Sequence, residues 1–206
     1  MKTKLLPAFC LAALLTAGTN AGAIPPAEAD AAHLEKLVSP IALYPDALVA
    51  LILPASTRPS DIVLAARFLE RGGRPAVAAT EIWQDSVKAL VHYPEVLALL
   101  DEDLAWTQEL GELFLARPDA VMDAIQALRD RALKNGLLAD TPEHSVIVED
   151  GLIRIVPARA TVIHVPRYDP EVLRVTRVRT YHPGPFISFG LGYGIGSWLS
   201  YDCDWR

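Results

Sequence analysis

Two carboxylates stand at matched places in this chain: Asp46 directly after Tyr44-Pro45, and Glu95 directly after Tyr93-Pro94, each heading an apolar run. If the two runs pack face to face, Asp46 and Glu95 are the candidate catalytic residues of a hydrolase-type enzyme. A water-activating carboxylate pair needs a separation of about 6.5–9.5 Å. A plainer account also fits both residues. Proline in a first helical turn sacrifices no hydrogen bond, and an acid beside it complements the helix dipole. A second candidate constellation is Asp202, Cys203 and Asp204, flanked by Trp198 and Trp205. A thiolate with two carboxylates suits a soft metal, but adjacent side chains of an extended chain alternate in direction and cannot all reach one ion without a tight turn. Cys203 could instead pair between chains.

Other titratable groups point away from chemistry. Asp101, Glu102 and Asp103 lack the alternation and the glycine of a calcium loop and read as the cap of the helix that follows. The histidines at 33, 92, 144, 164 and 182 contain no pair at helical ligand spacing, and no HExxH or Cys-His pattern occurs. Ser56-Thr57 has no G-x-S-x-G context. The glycines at 190, 192, 194 and 196 miss the dinucleotide fingerprint, because Ile195 stands where its third glycine belongs. No cofactor is therefore called for.

The elements that must position these residues fall into two kinds. From Asp30 to Lys134 the spacing predicts short amphipathic helices near 31–38, 45–53, 60–71, 75–83, 94–100, 104–116 and 118–134, broken by prolines. Ser60 is the expected N-cap of the third, and Asn135-Gly136 the stop of the last. Tyr44-Pro45, Phe68-Leu69 and Arg74-Pro75 return in order as Tyr93-Pro94, Phe114-Leu115 and Arg117-Pro118, which suggests a duplicated three-helix unit. After Gly136 the runs 145–149, 152–156 and 161–165 are rich in Val and Ile, with a hairpin turn at Asp150-Gly151 and a possible fourth strand at 172–180. Phe186 to Leu199 reads as a Gly/aromatic strand or tail that seeks a partner surface and adds little stability to the rest, since its glycines cost backbone entropy.

The first residues place Lys2 and Lys4 before the apolar stretch Leu5–Leu15, then Ala21, Gly22 and Ala23, the order of a secretory signal cleaved after Ala23. The whole chain carries a net charge of -6. Residues 24–150 hold 21 acidic against 10 basic side chains, and residues 151–206 hold 4 against 7. Such an acidic chain repels nucleic acid and phospholipid head groups as primary partners. No apolar run in the mature chain reaches the ~20 residues of a membrane-spanning helix. With Cys203 the one cysteine after the signal, the fold must stand on packing.

Several phrases in order carry a resemblance: Ser39-Pro-Ile-Ala-Leu-Tyr-Pro-Asp46, Ala55-Ser-Thr57, Ser86-Val-Lys-Ala-Leu90, Asp103-Leu-Ala-Trp-Thr-Gln108, Val121-Met-Asp-Ala-Ile125 and Val165-Pro-Arg-Tyr-Asp-Pro170. Over about residues 34–170 the chain resembles an exported bacterial family catalogued as domain of unknown function 3300. The resemblance implies export and carries no activity.

The expectation is an α+β protein: a signal peptide at 1–23, a helical domain with two related halves at 24–136, a small antiparallel β module at 137–182 and a Gly/aromatic tail at 183–206. It is read as a periplasmic or secreted protein that acts as a non-catalytic envelope scaffold or binding module. Its partner would be an envelope protein or a second copy, reached through the C-terminal tail. The alternative is the hydrolase with Asp46 and Glu95 in a cleft between the helical halves.

Overall fold

The computed structural model describes residues 26–174, 185–199 and 203–205. The chain is α+β. Eight helices come first: α1 (Pro26–Val38), α2 (Asp46–Ser56), α3 (Pro59–Glu70), α4 (Pro75–Ala78), α5 (Asp85–Leu90), α6 (Pro94–Glu102), α7 (Leu104–Ala116) and α8 (Pro118–Lys134). Helices α3, α4, α6 and α8 take proline in the first turn after the cap, at residues 59, 75, 94 and 118, as does the short α9 (Pro170–Leu173) at 170. There the missing N–H is one the helix could not have used and the fixed φ suits it.

Helix α2 is the centre of the core. Leu48, Val49, Leu51, Ile52, Leu53 and Ala55 are all buried, because α3, α5 and α7 surround it and strand β2 (Leu152–Pro157) closes the remaining side. Burial of each large apolar side chain stabilises by about 1.5–3 kcal/mol. The α2–α7 crossing is close because residue 111 is glycine: a Cβ there would lie 2.3 Å from the backbone oxygen of Ser56.

The interval 75–83 is not one helix. Helix α4 stops at Ala78, and a separate α5 begins at Asp85. The break is held from outside, by Asp61 of α3, whose carboxylate accepts from the Gln84 N–H at 2.9 Å. Buried Trp83 beside it is fixed edge-on to Phe68. A contact 23 residues away outweighs local helix propensity here. Ser60 also misses its expected role: helix α3 starts at Pro59, so Arg58 is the cap residue.

Strands β1 (His144–Glu149) and β2 form an antiparallel hairpin in which Asp150 and Gly151 take φ of 52° and 81°. That left-handed pair is what a two-residue hairpin turn requires. Strand β3 (Val162–Arg167) pairs antiparallel with β4 (Ser188–Gly194), with a register shift between His164 and Pro166. The expected strand at 172–180 is not formed at its start. Val172 and Leu173 belong to α9, whose N-terminus Asp169 caps by accepting from the Glu171 N–H at 3.0 Å. The rest of that interval, from residue 175 on, lies outside the described residues, as does the expected signal at 1–23.

The Gly/aromatic segment is seated on its own chain. Besides the β3–β4 ladder, Tyr193 packs edge-on against Tyr93, Trp198 stacks on His92 at 3.7 Å, and Leu199 is buried. These contacts seat the segment against the helices and β3, an arrangement that favours a stabilising contribution where the sequence suggested little. Its glycines permit the seating: Gly190 lies under the Glu95 carboxylate and Gly192 against His164, where a side chain would collide. The entropy cost of the glycines is opposed by the partly buried aromatic surface of Phe189, Tyr193 and Trp198 within the same molecule.

Candidate functional site

Asp46 and Arg129 meet in the interior. Asp46 opens α2 and Arg129 lies mid-way along α8, and they are 2% and 0% exposed. Arg129 Nη1 donates to Asp46 Oδ1 at 2.7 Å and to the Ile153 carbonyl at 2.8 Å. Its Nε donates to the Ala42 carbonyl at 2.8 Å, and Nη2 to the Tyr44 carbonyl at 2.9 Å. The ring of Trp205 lies 4.6 Å from the guanidinium carbon, within cation–π range.

The carboxylate is equally occupied. Asp46 Oδ1 also accepts from the Ile155 N–H at 3.1 Å, and Oδ2 accepts from Trp205 Nε1 at 3.0 Å, with Arg154 Nε at 3.5 Å. The Cys203 thiol points to the Asp46 carbonyl at 3.3 Å. Ile153 and Ile155 share the outer edge of β2, where a third strand would ordinarily bind. Asp46 and Arg129 take its place, together with Gln126, which accepts from the Ile153 N–H at 2.9 Å and donates to its carbonyl at 3.1 Å. Side chains of α2 and α8 thus terminate the sheet edge and join helices, hairpin and C-terminal segment.

Glu95 is held by a different set. Its Oε1 pairs with Arg167 Nη2 at 3.0 Å, and it accepts from the Tyr193 hydroxyl. Burial and the adjacent Glu95 charge push the Tyr193 hydroxyl up to about 12, and burial followed by the same charge pushes Tyr44 up to about 12. Both phenols stay protonated across the physiological range. Asp46 and Glu95 share no hydrogen-bonding partner among the described residues, so each carboxylate is neutralised where it stands.

The remaining candidates are placed as follows. Asp103 caps α7 by accepting from the Trp106 N–H at 3.0 Å, as the acidic run implied. Cys203 is brought to the Asp46 network; Asp202 lies outside the described residues. Among the described residues no group of three His, Cys, Asp or Glu side chains is arranged to hold a metal ion. His33 pairs with Glu109 at 2.8 Å, and His144 Nε2 lies 3.0 Å from the Ala139 carbonyl. His164 sits against Phe189, and His182 lies outside the described residues. Among the described residues no single helix is long and apolar enough to cross a membrane.

The phrases that carry the family resemblance also meet in space. Tyr168 donates to the Ser39 carbonyl at 2.9 Å and accepts from the Leu43 N–H at 3.1 Å, tying Val165–Pro170 to Ser39–Asp46. Its burial holds the phenol well above its ordinary range. Trp106 Nε1 donates to the Leu37 carbonyl at 2.8 Å. The family model described as protein of unknown function (DUF3300) matches residues 30–198, most of the chain. The chain belongs to this family. It is also similar to the uncharacterized protein YacH of Escherichia coli (strain K12), 31% identical over an alignment of 220 positions that covers 82% of this chain. The alignment spans 36% of that relative's length. No solved structure matches the chain.

Sequence reasoning found Asp46 but missed its partner. Arg129 looked like one more charge on an amphipathic helix. Its signal was available in the stripe Val121, Ile125, Leu128, Ala132, since residue 129 follows 125 and 128 on the same buried face.

Proposed function

We propose that this chain is a non-catalytic, extracytoplasmic scaffold or binding module of the cell envelope. The observation that carries the reading is the commitment of Asp46, the leading catalytic candidate, to Arg129, Ile155 and Trp205 in a buried junction. A carboxylate so neutralised and shielded has no lone pair facing a substrate. Glu95 is likewise engaged by Arg167 and Tyr193. The basic, apolar and small-residue order of residues 1–23 supports export with cleavage after Ala23, to a periplasmic or secreted location.

The partner in this reading is an envelope protein or a second copy that adds to strand β4. One edge of β4 is paired with β3, and Leu191 on it is 77% exposed. An exposed strand edge beside an apolar side chain is a template for strand addition. In-cell crosslinking of the tagged chain tests this. One discrete product, containing either a second copy or a single envelope protein and lost in Leu191→Asp, is expected. Crosslinks that are diffuse and unchanged in Leu191→Asp refute the β4 docking site.

A further inference from the structure

Arginine pairing divides this molecule in two. Arg117, Arg129, Arg131, Arg154, Arg167 and Arg174 each face an acid, respectively Asp30, Asp46, Glu35, Asp46, Glu95 and Glu171. Arg58, Arg67, Arg71 and Arg74 are exposed and make no ion pair among the described residues. All four flank or lie on α3. The other described arginine without an ion pair, Arg159, lies in the β2–β3 loop.

Two of the four sit on a helical stripe of unusual composition. Leu64, Arg67, Phe68 and Arg71 follow i, i+3, i+4, i+7, so the guanidinium groups alternate with apolar side chains along one face. This face lines an open depression of about 610 Å³ whose far wall is Gly72, Gly73, Glu81, Ile82 and Trp83. Ile82 is 98% exposed and Leu64 51%, next to buried Trp83 and the half-buried Phe68 set edge-on to it. The wall is shaped to admit Phe68: a Cβ on Gly73 would lie 2.4 Å from its ring. Of the neighbouring acids, Asp61 is spent on the Gln84 N–H, leaving Glu70 and Glu81 against four arginines.

We propose that this face docks on the anionic surface of a phospholipid bilayer. Guanidinium groups bind phosphate with paired hydrogen bonds, and an exposed Ile82 and Leu64 beside them gain by entering the acyl boundary below the head groups. The order from polar rim to projecting apolar group matches that interface. A peptide occupant is less well suited, since Ile82 at the wall of the depression is 98% exposed and has no enclosing groove around it. The net negative charge of the chain opposes approach to such a surface, but at physiological salt it is screened beyond about 8 Å, so the local arginines decide contact.

The inference is independent of export and of the β4 partner, because it is read on purified full-length chain. The experiment is co-sedimentation with vesicles of phosphatidylcholine alone and of phosphatidylcholine with a third phosphatidylglycerol. The chain should bind the second and not the first, and release as salt is raised. Each arginine near an anionic surface contributes about fivefold, so R67Q/R71Q should bind about 25-fold more weakly. R67K/R71K, which keeps the charge but not the paired hydrogen bonds, should bind between the unaltered chain and R67Q/R71Q, and Ile82→Ser should lose about tenfold or more. All these side chains are exposed, so circular dichroism should give unchanged melting. A retained N-terminal apolar segment would bind both vesicle types and be insensitive to these substitutions. Equal binding to both vesicles, undiminished binding by R67Q/R71Q, or complete displacement by a soluble hexaglutamate peptide would overturn the proposal.

Discussion

Replacing Asp46 with alanine isolates what the buried junction contributes. The substitution leaves the Arg129 guanidinium, 0% exposed, without its counter-ion, and leaves the Ile155 N–H and Trp205 Nε1 without acceptors. Breaking one partner out of a buried ion pair costs about 3–5 kcal/mol, and each orphaned donor about 1–3 kcal/mol, contributions that overlap. Arg129 keeps the carbonyls of Ala42, Tyr44 and Ile153, which partly solvate its charge. A loss of about 4 kcal/mol follows, a large share of the roughly 5–15 kcal/mol of a typical fold. Asp46→Asn keeps an acceptor for Ile155 and should lose about half as much, so it serves if the alanine variant fails to fold. Urea denaturation of Asp46→Asn, Arg129→Met and the double variant measures the coupling, expected at about 1–3 kcal/mol with the double variant less destabilised than the sum. Additive losses, or a cost below about 1 kcal/mol for Asp46→Ala, would refute the idea that this pair joins the elements.

Deleting residues 186–206 should lower the melting midpoint by about 10 °C or more in a thermal scan, since it removes β4 and takes Trp198 from His92 and Trp205 from Asp46; an unchanged midpoint would return the segment to the status of an independent tail. Gly111→Ala should cost about 1–3 kcal/mol in denaturant titration, because its Cβ meets the Ser56 backbone rather than a side chain able to turn away. Burial lowers the His144 pKa in the folded state, so the unfolded chain binds the proton more readily below pH about 6.5. Stability should therefore fall as pH drops from 7 through the lowered value, and His144→Gln should flatten that part of the pH profile. Intact-mass measurement of the exported protein should show Ile24 as its first residue, and a mass retaining residues 1–23 would exclude cleavage there.

Legibility in the sequence followed the range of the forces involved. The helices at 104–116 and 118–134 and the Asp150-Gly151 hairpin depend on local rules, periodicity and left-handed turn chemistry, and the structure has them at those places. The break between α4 and α5 depends on Asp61 reaching Gln84, and the helical start of 172–180 on Asp169 and Pro170 overriding a β-branched run. Neither is a property of the segment alone. The matched landmarks show the same limit. Asp46 is buried while Glu95 is partly exposed, and Leu69 is partly buried against the core while its counterpart Leu115 is 70% exposed. Similar words in the sequence acquired different surroundings.

The candidate site was half legible for a related reason. Position and residue type singled out Asp46, and helix-terminus chemistry alone explained an acid there. What the acid does was set by groups 83, 109 and 159 residues away: Arg129, Ile155 and Trp205. A carboxylate at a helix N-terminus is normally solvated, and this one is enclosed by Arg129, strand β2 and the C-terminal segment together. That makes Trp205 a cover as well as a donor. Its removal would expose a charged pair that the rest of the fold has already assembled, so Trp205→Ala should weaken stability far less than Asp46→Ala while letting water reach the pair. Faster amide exchange at Ile155 in that variant, with α2 protection unchanged, is the expected signature. Loss of protection throughout α2 would mean that the C-terminal segment builds the junction rather than covering it.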